Sequence, residues 1–276
     1  MMNRKYKKKI ALDTLDAVKK RFYVNKREER ISIHSEQEFA EENTIIYSPD
    51  DGDELIKIKQ NPLFSGPATI EVNDKTTMDA VRQMIADGFE SVACLNFASA
   101  KNPGGGFLGE SQAQEESIAR ATGLYNCLLK ANKYYMSNKI CKSYFYTDYM
   151  IYSPSVPIIK DENGEMLDYF VKAGIITAPA VNTGVVRKKD VANIGRVEEV
   201  MKRRISKVLS IAISQGHQSI ILGAWGCGVF GNDPNNIAKY FREVIEDKYL
   251  HSFKKIVFAV YAKNERFIKP FINEFF

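Results

Sequence analysis

Two adjacent carboxylates and the glycines that precede them carry the clearest chemical signal in the chain. Glu115 and Glu116 close the triplet Gln114-Glu115-Glu116, and Gly104, Gly105 and Gly106 stand before it across a spacer of seven residues. Three successive glycines permit positive φ and leave main-chain N–H groups uncovered, so a phosphate or a ribose can approach the backbone closely. A carboxyl beside such a loop can give a proton to a leaving oxygen and later take one from water. In isolation, carboxylates in a first helical turn complement the helix dipole, and Arg120 stands four residues after Glu116 in ion-pair spacing. The glycines shift that balance, because anion-binding N–H groups and carboxylates would then face one cleft.

A second loop reads Trp225-Gly226-Cys227-Gly228-Val229-Phe230-Gly231-Asn232-Asp233-Pro234. Its glycines satisfy the Gly-x-Gly-x-x-Gly pattern, but the context argues against a dinucleotide fold. Asn232-Asp233-Pro234 intervenes before the helix, no acidic residue ends the following strand, and only one β-α-β unit remains. What survives is a loop able to cradle a diphosphate beside a helix start, with Phe230 available to a sugar or base. His34, His217 and His251 are scattered, and Cys94, Cys127, Cys141 and Cys227 form no Cys-x-x-Cys pair, so no metal and no disulfide framework is expected.

The elements that must hold these loops alternate. Strands are expected at Ala68 to Val72, Ser91 to Phe97, Ala173 to Ala178, Ser219 to Trp225 and Lys255 to Ala262. Helices are expected at Thr76 to Asp87 with an Asp74 or Thr76 cap, Ser117 to Lys130, Val191 to Gln215, Pro234 to Asp247 with Asp233 as cap, and Phe267 to Phe276. Both glycine loops follow expected strands, and in buried sheets of this kind ligands bind at the carboxyl ends of the strands. Ahead of this body, Arg4 to Tyr23 reads as a helix with Ile10, Leu12, Leu15, Val18 and Phe22 on one side, followed by a polar stretch with loop punctuation through Pro62 and Gly66-Pro67.

Composition sets the outer bounds. The 276 residues are 45% hydrophobic and 26% charged, which excludes disordered and collagen-like classes. The net charge of +5 owes much to lysines and arginines before residue 22, a solvated helix face more readily than a nucleic-acid patch. No apolar run reaches the roughly 20 residues of a membrane span, and the basic start lacks the apolar core of a signal peptide. A reducing cytoplasm is the expected location.

Taken together, Leu95-Asn96-Phe97-Ala98-Ser99-Ala100-Lys101-Asn102-Pro103, the triple glycine, Gln114-Glu115-Glu116 and the later Gly223-Ala224-Trp225-Gly226-Cys227-Gly228-Val229-Phe230 resemble microbial-type poly(ADP-ribose) glycohydrolases. Tyr152-Ser153-Pro154 and Ile176-Thr177-Ala178-Pro179-Ala180 are similar to that family's connecting segments. The resemblance covers the chain from about residue 40 and implies a macrodomain-like three-layer α/β/α sandwich with a mixed sheet over residues 41–276, while residues 1–40, read as an N-terminal helical extension, carry no motif of the family. It implies Glu116 as the catalytic acid, with Glu115 and Gln114 placing the ribose. Substrate-binding positions would be Asn96, Ser99, Asn102, Gly104, Gly105 and Gly106, then Gly226, Cys227, Gly228, Val229 and Phe230, the last packing on the distal ribose. The implied partner is poly(ADP-ribose) or an ADP-ribosylated protein, with no cofactor, no metal, no direct DNA binding and no membrane. A non-catalytic ADP-ribose reader, or a hydrolase of mono-ADP-ribosyl or acyl-ADP-ribose esters, would share the fold and both loops.

The chemistry narrows further. Glycosidases commonly flank the bond with carboxyls about 5 to 9.5 Å apart. Neighbouring helical residues point about 100° apart, so Glu115 and Glu116 are not placed to do this and a single working carboxyl is simpler. That carboxyl must hold a proton before the bond breaks, which burial favours and an ion pair with Arg120 opposes.

Overall fold

The computed structural model describes residues 4–57, 63–109, 111–261 and 265–276. Helix α1 (Arg4–Lys20) leads into a hairpin of β1 (Phe22–Val24) and β2 (Arg30–Ser32), then α2 (His34–Glu42), β3 (Ile45–Tyr47) and α3 (Pro49–Lys57). After β4 (Thr69–Asn73), α4 (Thr77–Ala86) and β5 (Val92–Phe97) come three helices, α5 (Gln114–Ala121), α6 (Leu124–Lys130) and α7 (Asn132–Ile140). A long antiparallel pair, β6 (Met150–Lys160) and β7 (Met166–Ala178), precedes α8 (Thr183–Lys189), a 3-10 turn at Val191–Arg196 and α9 (Val197–Ser214). The chain ends with β8 (Ser219–Leu222), α10 (Pro234–Val244), a π turn at Ile245–Tyr249, β9 (Lys255–Ala259) and α11 (Lys269–Phe275).

Among the described residues the main sheet has seven strands in the order β3-β6-β7-β5-β8-β9-β4. β7, β5, β8, β9 and β4 run parallel, and β6 is antiparallel to both its neighbours, so the sheet is mixed and mostly parallel. Alternation along the central strand builds the three layers. Ala93 and Leu95 join the core shared with α9 and α10, while Val92 and Cys94 join the core shared with α4, α5, α6 and α7. The macrodomain-like α/β/α arrangement is the observed one.

Local chemistry explains the boundaries. Thr76 caps α4, its Oγ1 accepting the Asp79 N–H at 3.2 Å, and Asp233 caps α10 by accepting the Asn235 N–H at 2.9 Å. The helix expected from Ser117 to Lys130 starts three residues earlier and is broken at Thr122–Gly123. A Cβ on Gly123 would collide with the Gln37 side chain, whose Nε2 donates to the Gly123 carbonyl, so α2 wedges the two helices apart. The helix expected from Val191 begins as a 3-10 turn, and the strand expected to Trp225 stops at Leu222, just before Gly223 passes close to the Ala259 carbonyl. The expected loop proline Pro62 and the strand end at Ala262 lie outside the described residues.

Helix α1 packs on the body differently from its expected apolar stripe. Leu12 is exposed and Phe22 belongs to β1, whereas Ile10, Ala11, Thr14, Ala17 and Val18 are buried. Ala11 shares a small core with Phe107 and Ala119, and the Lys160 ammonium donates to the Ile10 carbonyl at 2.8 Å.

Candidate active site

Both glycine loops leave the same edge of the sheet. β5 and β8 are adjacent and parallel, Cys94 opposite Ile221, and β7 flanks β5 on the other side with Phe97 opposite Ala178. Three strand ends therefore lie side by side, at the carboxyl ends where ligands bind in sheets of this kind.

The loop after β5 is folded around the carboxyl pair. Gly104 and Gly105 have φ of 66° and 59°, in the left-handed region where glycine is favoured. A Cβ on Gly105 would lie 2.4 Å from Glu116 Oε1 and 3.1 Å from Glu115 Oε2, so the backbone can approach both carboxyls only without a side chain. Glu116 Oε1 accepts the Gly106 N–H at 2.9 Å and Oε2 accepts the Ala113 N–H at 2.8 Å. The second contact is half of a capping box, since Ala113 has no side-chain acceptor to return it.

Glu115 points to the other side of the helix start. Its Oε2 accepts the Ser99 N–H at 2.6 Å and its Oε1 the Asn96 amide at 3.4 Å; Asn96 also donates to Thr177 Oγ1 at 3.1 Å. Glu115 is only 3% exposed against 8% for Glu116. Burial pushes the Glu115 carboxyl up to about 8, the nearby Glu116 charge adds to this, and the hydrogen bonds from Ser99 and Asn96 oppose it.

Gln114 is engaged within the protein. Its Oε1 accepts the Phe97 N–H at 2.8 Å, and its Nε2 donates to Leu95 O at 2.7 Å and Thr77 Oγ1 at 3.0 Å, pinning the start of α5 to the end of β5. Ser99 Oγ accepts the Asn102 N–H at 3.1 Å, and the Asn102 carbonyl accepts the Gly105 N–H at 3.0 Å, which shapes the turn. Arg120 forms no ion pair with Glu116. Its Nη2 donates to the carbonyls of Ser111 at 2.6 Å and Phe107 at 3.1 Å, both on the stretch that joins the triple glycine to α5.

The second loop is held by Asn232, which the sequence reading passed over. Asn232 Nδ2 donates to Val181 O at 2.9 Å and Gly226 O at 3.1 Å, and its Oδ1 accepts from Thr183 Oγ1 at 2.6 Å. A Cβ on Gly226, at φ 74°, would meet Asn232 Nδ2 at 2.5 Å. Gly228 has open space around it, Cys227 is buried, and Val229 is 89% exposed. Phe230 is half-buried, its ring centroid 5.9 Å from that of Tyr146, and its carbonyl accepts the Gly184 N–H at 2.8 Å. Gly104 to Gly106 and Gly226 to Phe230 thus lie on loops that follow adjacent parallel strands, with the carboxyl pair packed against the first.

A family model described as microbial-type PARG (poly(ADP-ribose) glycohydrolase), catalytic domain, matches residues 11–161. The chain belongs to this family. PARG enzymes are hydrolases, glycosidases by reaction. The structure of PARG from Thermomonospora curvata is similar at a TM-score of 0.95 and 33% identity, covering 99% of this chain and 100% of that one. The same enzyme bound to the inhibitor ADP-HPD is similar at 0.92, with the same identity and coverage. PARG from Deinococcus radiodurans in complex with ADP-ribose is similar at 0.82 and 39% identity, over 86% of this chain and 96% of that one. Comparison with curated protein sequences returns no match. The PARG match begins within α1 and reaches the end of β6, so it takes in the first glycine loop and both glutamates.

Proposed function

We propose that the protein hydrolyses the ribose–ribose O-glycosidic bonds of poly(ADP-ribose) to release ADP-ribose, with Glu116 as acid and base. The observation that carries this is the position of the Glu116 carboxyl, fixed by two main-chain N–H groups against the bare backbone of Gly105. The relatives bound to ADP-ribose and to ADP-HPD support the ligand class. An ADP-ribose unit then lies between the two loops, its diphosphate along Gly226 to Phe230 and its ribose against Gly105.

In the reaction, protonated Glu116 gives its proton to the leaving ribose oxygen as the bond from that oxygen to the anomeric carbon breaks. The carboxylate so formed takes a proton from water, and the hydroxyl adds to the anomeric carbon. Bound diphosphate stabilises the oxocarbenium-like charge between these events. Glu115 is buried, its carboxyl pushed up to about 8, so it holds its proton at neutral pH and can donate to a ribose hydroxyl.

That same raised value favours a second reading, in which Glu115 is the proton donor. Glu116→Gln and Glu115→Gln separate the two. Glu116→Gln should lower polymer hydrolysis by about 10² to 10⁴, roughly 3 to 5 kcal/mol, with ADP-ribose binding retained. Glu115→Gln should lose affinity as well as rate. Near wild-type turnover in Glu116→Gln would move the acid to Glu115. A wild-type protein that binds ADP-ribose yet releases nothing from polymer or mono-modified protein would be a reader.

The cytoplasm is the proposed location. Cys94, Cys127 and Cys227 are buried free thiols, which suits a reducing compartment, and among the described residues no helix is long and apolar enough to cross a membrane.

A further inference from the structure

Beside the glycine loop lies a buried cation that, among the described residues, pairs with no carboxylate. Arg120 is on the last turn of α5, one helical turn beyond Glu116, and is 6% exposed. Its guanidinium reaches forward to the carbonyls of Phe107 and Ser111. Phe107 follows Gly106 directly, and Ser111 lies two residues before Ala113. Gly106 and Ala113 are the two residues whose N–H groups hold the Glu116 carboxyl. Side chain and carboxyl therefore grip one loop from opposite ends, the guanidinium taking its carbonyls and the carboxylate its N–H groups.

Helix α1 closes this arrangement from outside. Thr14 Oγ1 lies 2.5 Å from the Arg120 carbonyl, and Ala11 packs with Phe107 and Ala119, all three fully buried. The Phe107 ring is in turn tilted against Tyr125 at 4.6 Å. A single guanidinium nitrogen, Nη2, whose two N–H bonds are held in the guanidinium plane and meet two carbonyls in a buried setting, fixes their positions more tightly than a water-exposed contact would. An ammonium in its place is a point charge on a flexible stem, with no planar group to aim its N–H bonds at both carbonyls.

We propose that Arg120 is a positioning residue for the hydrolysis, setting the loop N–H groups that orient Glu116, and that α1 is the cover that keeps this clamp dry. The proposal rests on Glu116 being the acid and base. It makes α1, which carries no residue of either glycine loop, a working part of the site.

The test is a double-mutant cycle on the full chain, with Arg120→Lys, Thr14→Val and Glu116→Gln alone and in pairs, following kcat and KM for ADP-ribose release and the melting temperature of each variant. Arg120→Lys should lower kcat by about 10- to 100-fold with KM changed by less than about threefold, the size expected for a small misplacement of a catalytic group. Thr14→Val, which keeps the side-chain volume, should lower kcat in the same direction by about two- to fivefold. In the Glu116→Gln background each should cost less than about twofold, because the group they position is already disabled. A loss of kcat equally large in both backgrounds would overturn the proposal, as would wild-type kcat in both single variants. If Arg120→Lys does not fold, the Thr14→Val arm decides by the same criteria. Wild-type turnover in Glu116→Gln alone would instead overturn the assignment of Glu116, and losses from Arg120→Lys and Thr14→Val that vanish in a Glu115→Gln background would then tie the clamp to Glu115.

Discussion

Replacing Gly105 with alanine tests whether the glycine loop and the carboxyl pair act as one unit. The residue has φ of 59°, where an L side chain costs about 1–2 kcal/mol, or roughly 2–8 °C of melting temperature for a chain of this size. The larger effect concerns geometry. The new Cβ would lie 2.4 Å from Glu116 Oε1, and ordinary contact begins at 3.4 Å, so the carboxyl must withdraw by about 1 Å. A displacement of that size at a reacting group costs on the order of 10² in turnover. Gly228 is the matched comparison. It has no left-handed φ and no heavy atom within 4 Å of an added Cβ, so its alanine leaves folding unchanged and acts only through the space a diphosphate would fill. Release of ADP-ribose from labelled polymer at saturating substrate, with melting curves on the same samples, reads both effects. Gly105→Ala turnover within about threefold of wild type would refute the reasoning, because a 1 Å shift of Glu116 would then have no kinetic consequence.

Other expectations follow from the same contacts. Burial holds Glu115 protonated up to about pH 8, so between its ordinary value and 8 the folded protein binds more protons than the unfolded chain and loses stability as pH rises; on the order of a few kcal/mol should be lost by pH 8, and Glu115→Gln should flatten that part of the stability profile. Asn232→Ala removes the donor from the carbonyls of Val181 and Gly226, which should cost about 1–3 kcal/mol in thermal unfolding and weaken ADP-ribose binding through the second loop. ADP-ribose titrated calorimetrically in excess chelator should bind with unchanged affinity, because main-chain N–H groups form the anion site; loss of binding would refute that construction.

The sequence made the parallel core readable because β5, β8 and β9 are short apolar runs set between helical repeats, and the cap at Thr76 marks where one begins. It concealed β6, where Pro154 and Pro157 look like loop punctuation. The strand tolerates Pro154 through a register shift between Ser153 and Val156, with Ser155 at φ 48°, so the irregularity takes the residue that cannot donate to the ladder. In the site, the glutamates and glycines stood out by type and spacing. Arg120 did not, since a four-residue interval from Glu116 reads as an ion pair and only the folded loop reveals carbonyl partners. Asn232 was masked in the same way by its neighbours, because Asn-Asp-Pro signals a helix start and nothing local announces a contact with Val181.

The adjacency of β5 and β8 bears on how activity is acquired. Val92 pairs with Ser219, so the two glycine loops follow neighbouring strands that lie far apart in the sequence, and the second loop emerges late from the ribosome. Loop-closure entropy opposes pairing at that separation until the helices between have packed. Secondary structure during refolding should therefore recover before the two loops meet, and a nascent chain will carry its glutamates long before it can bind a ligand between them.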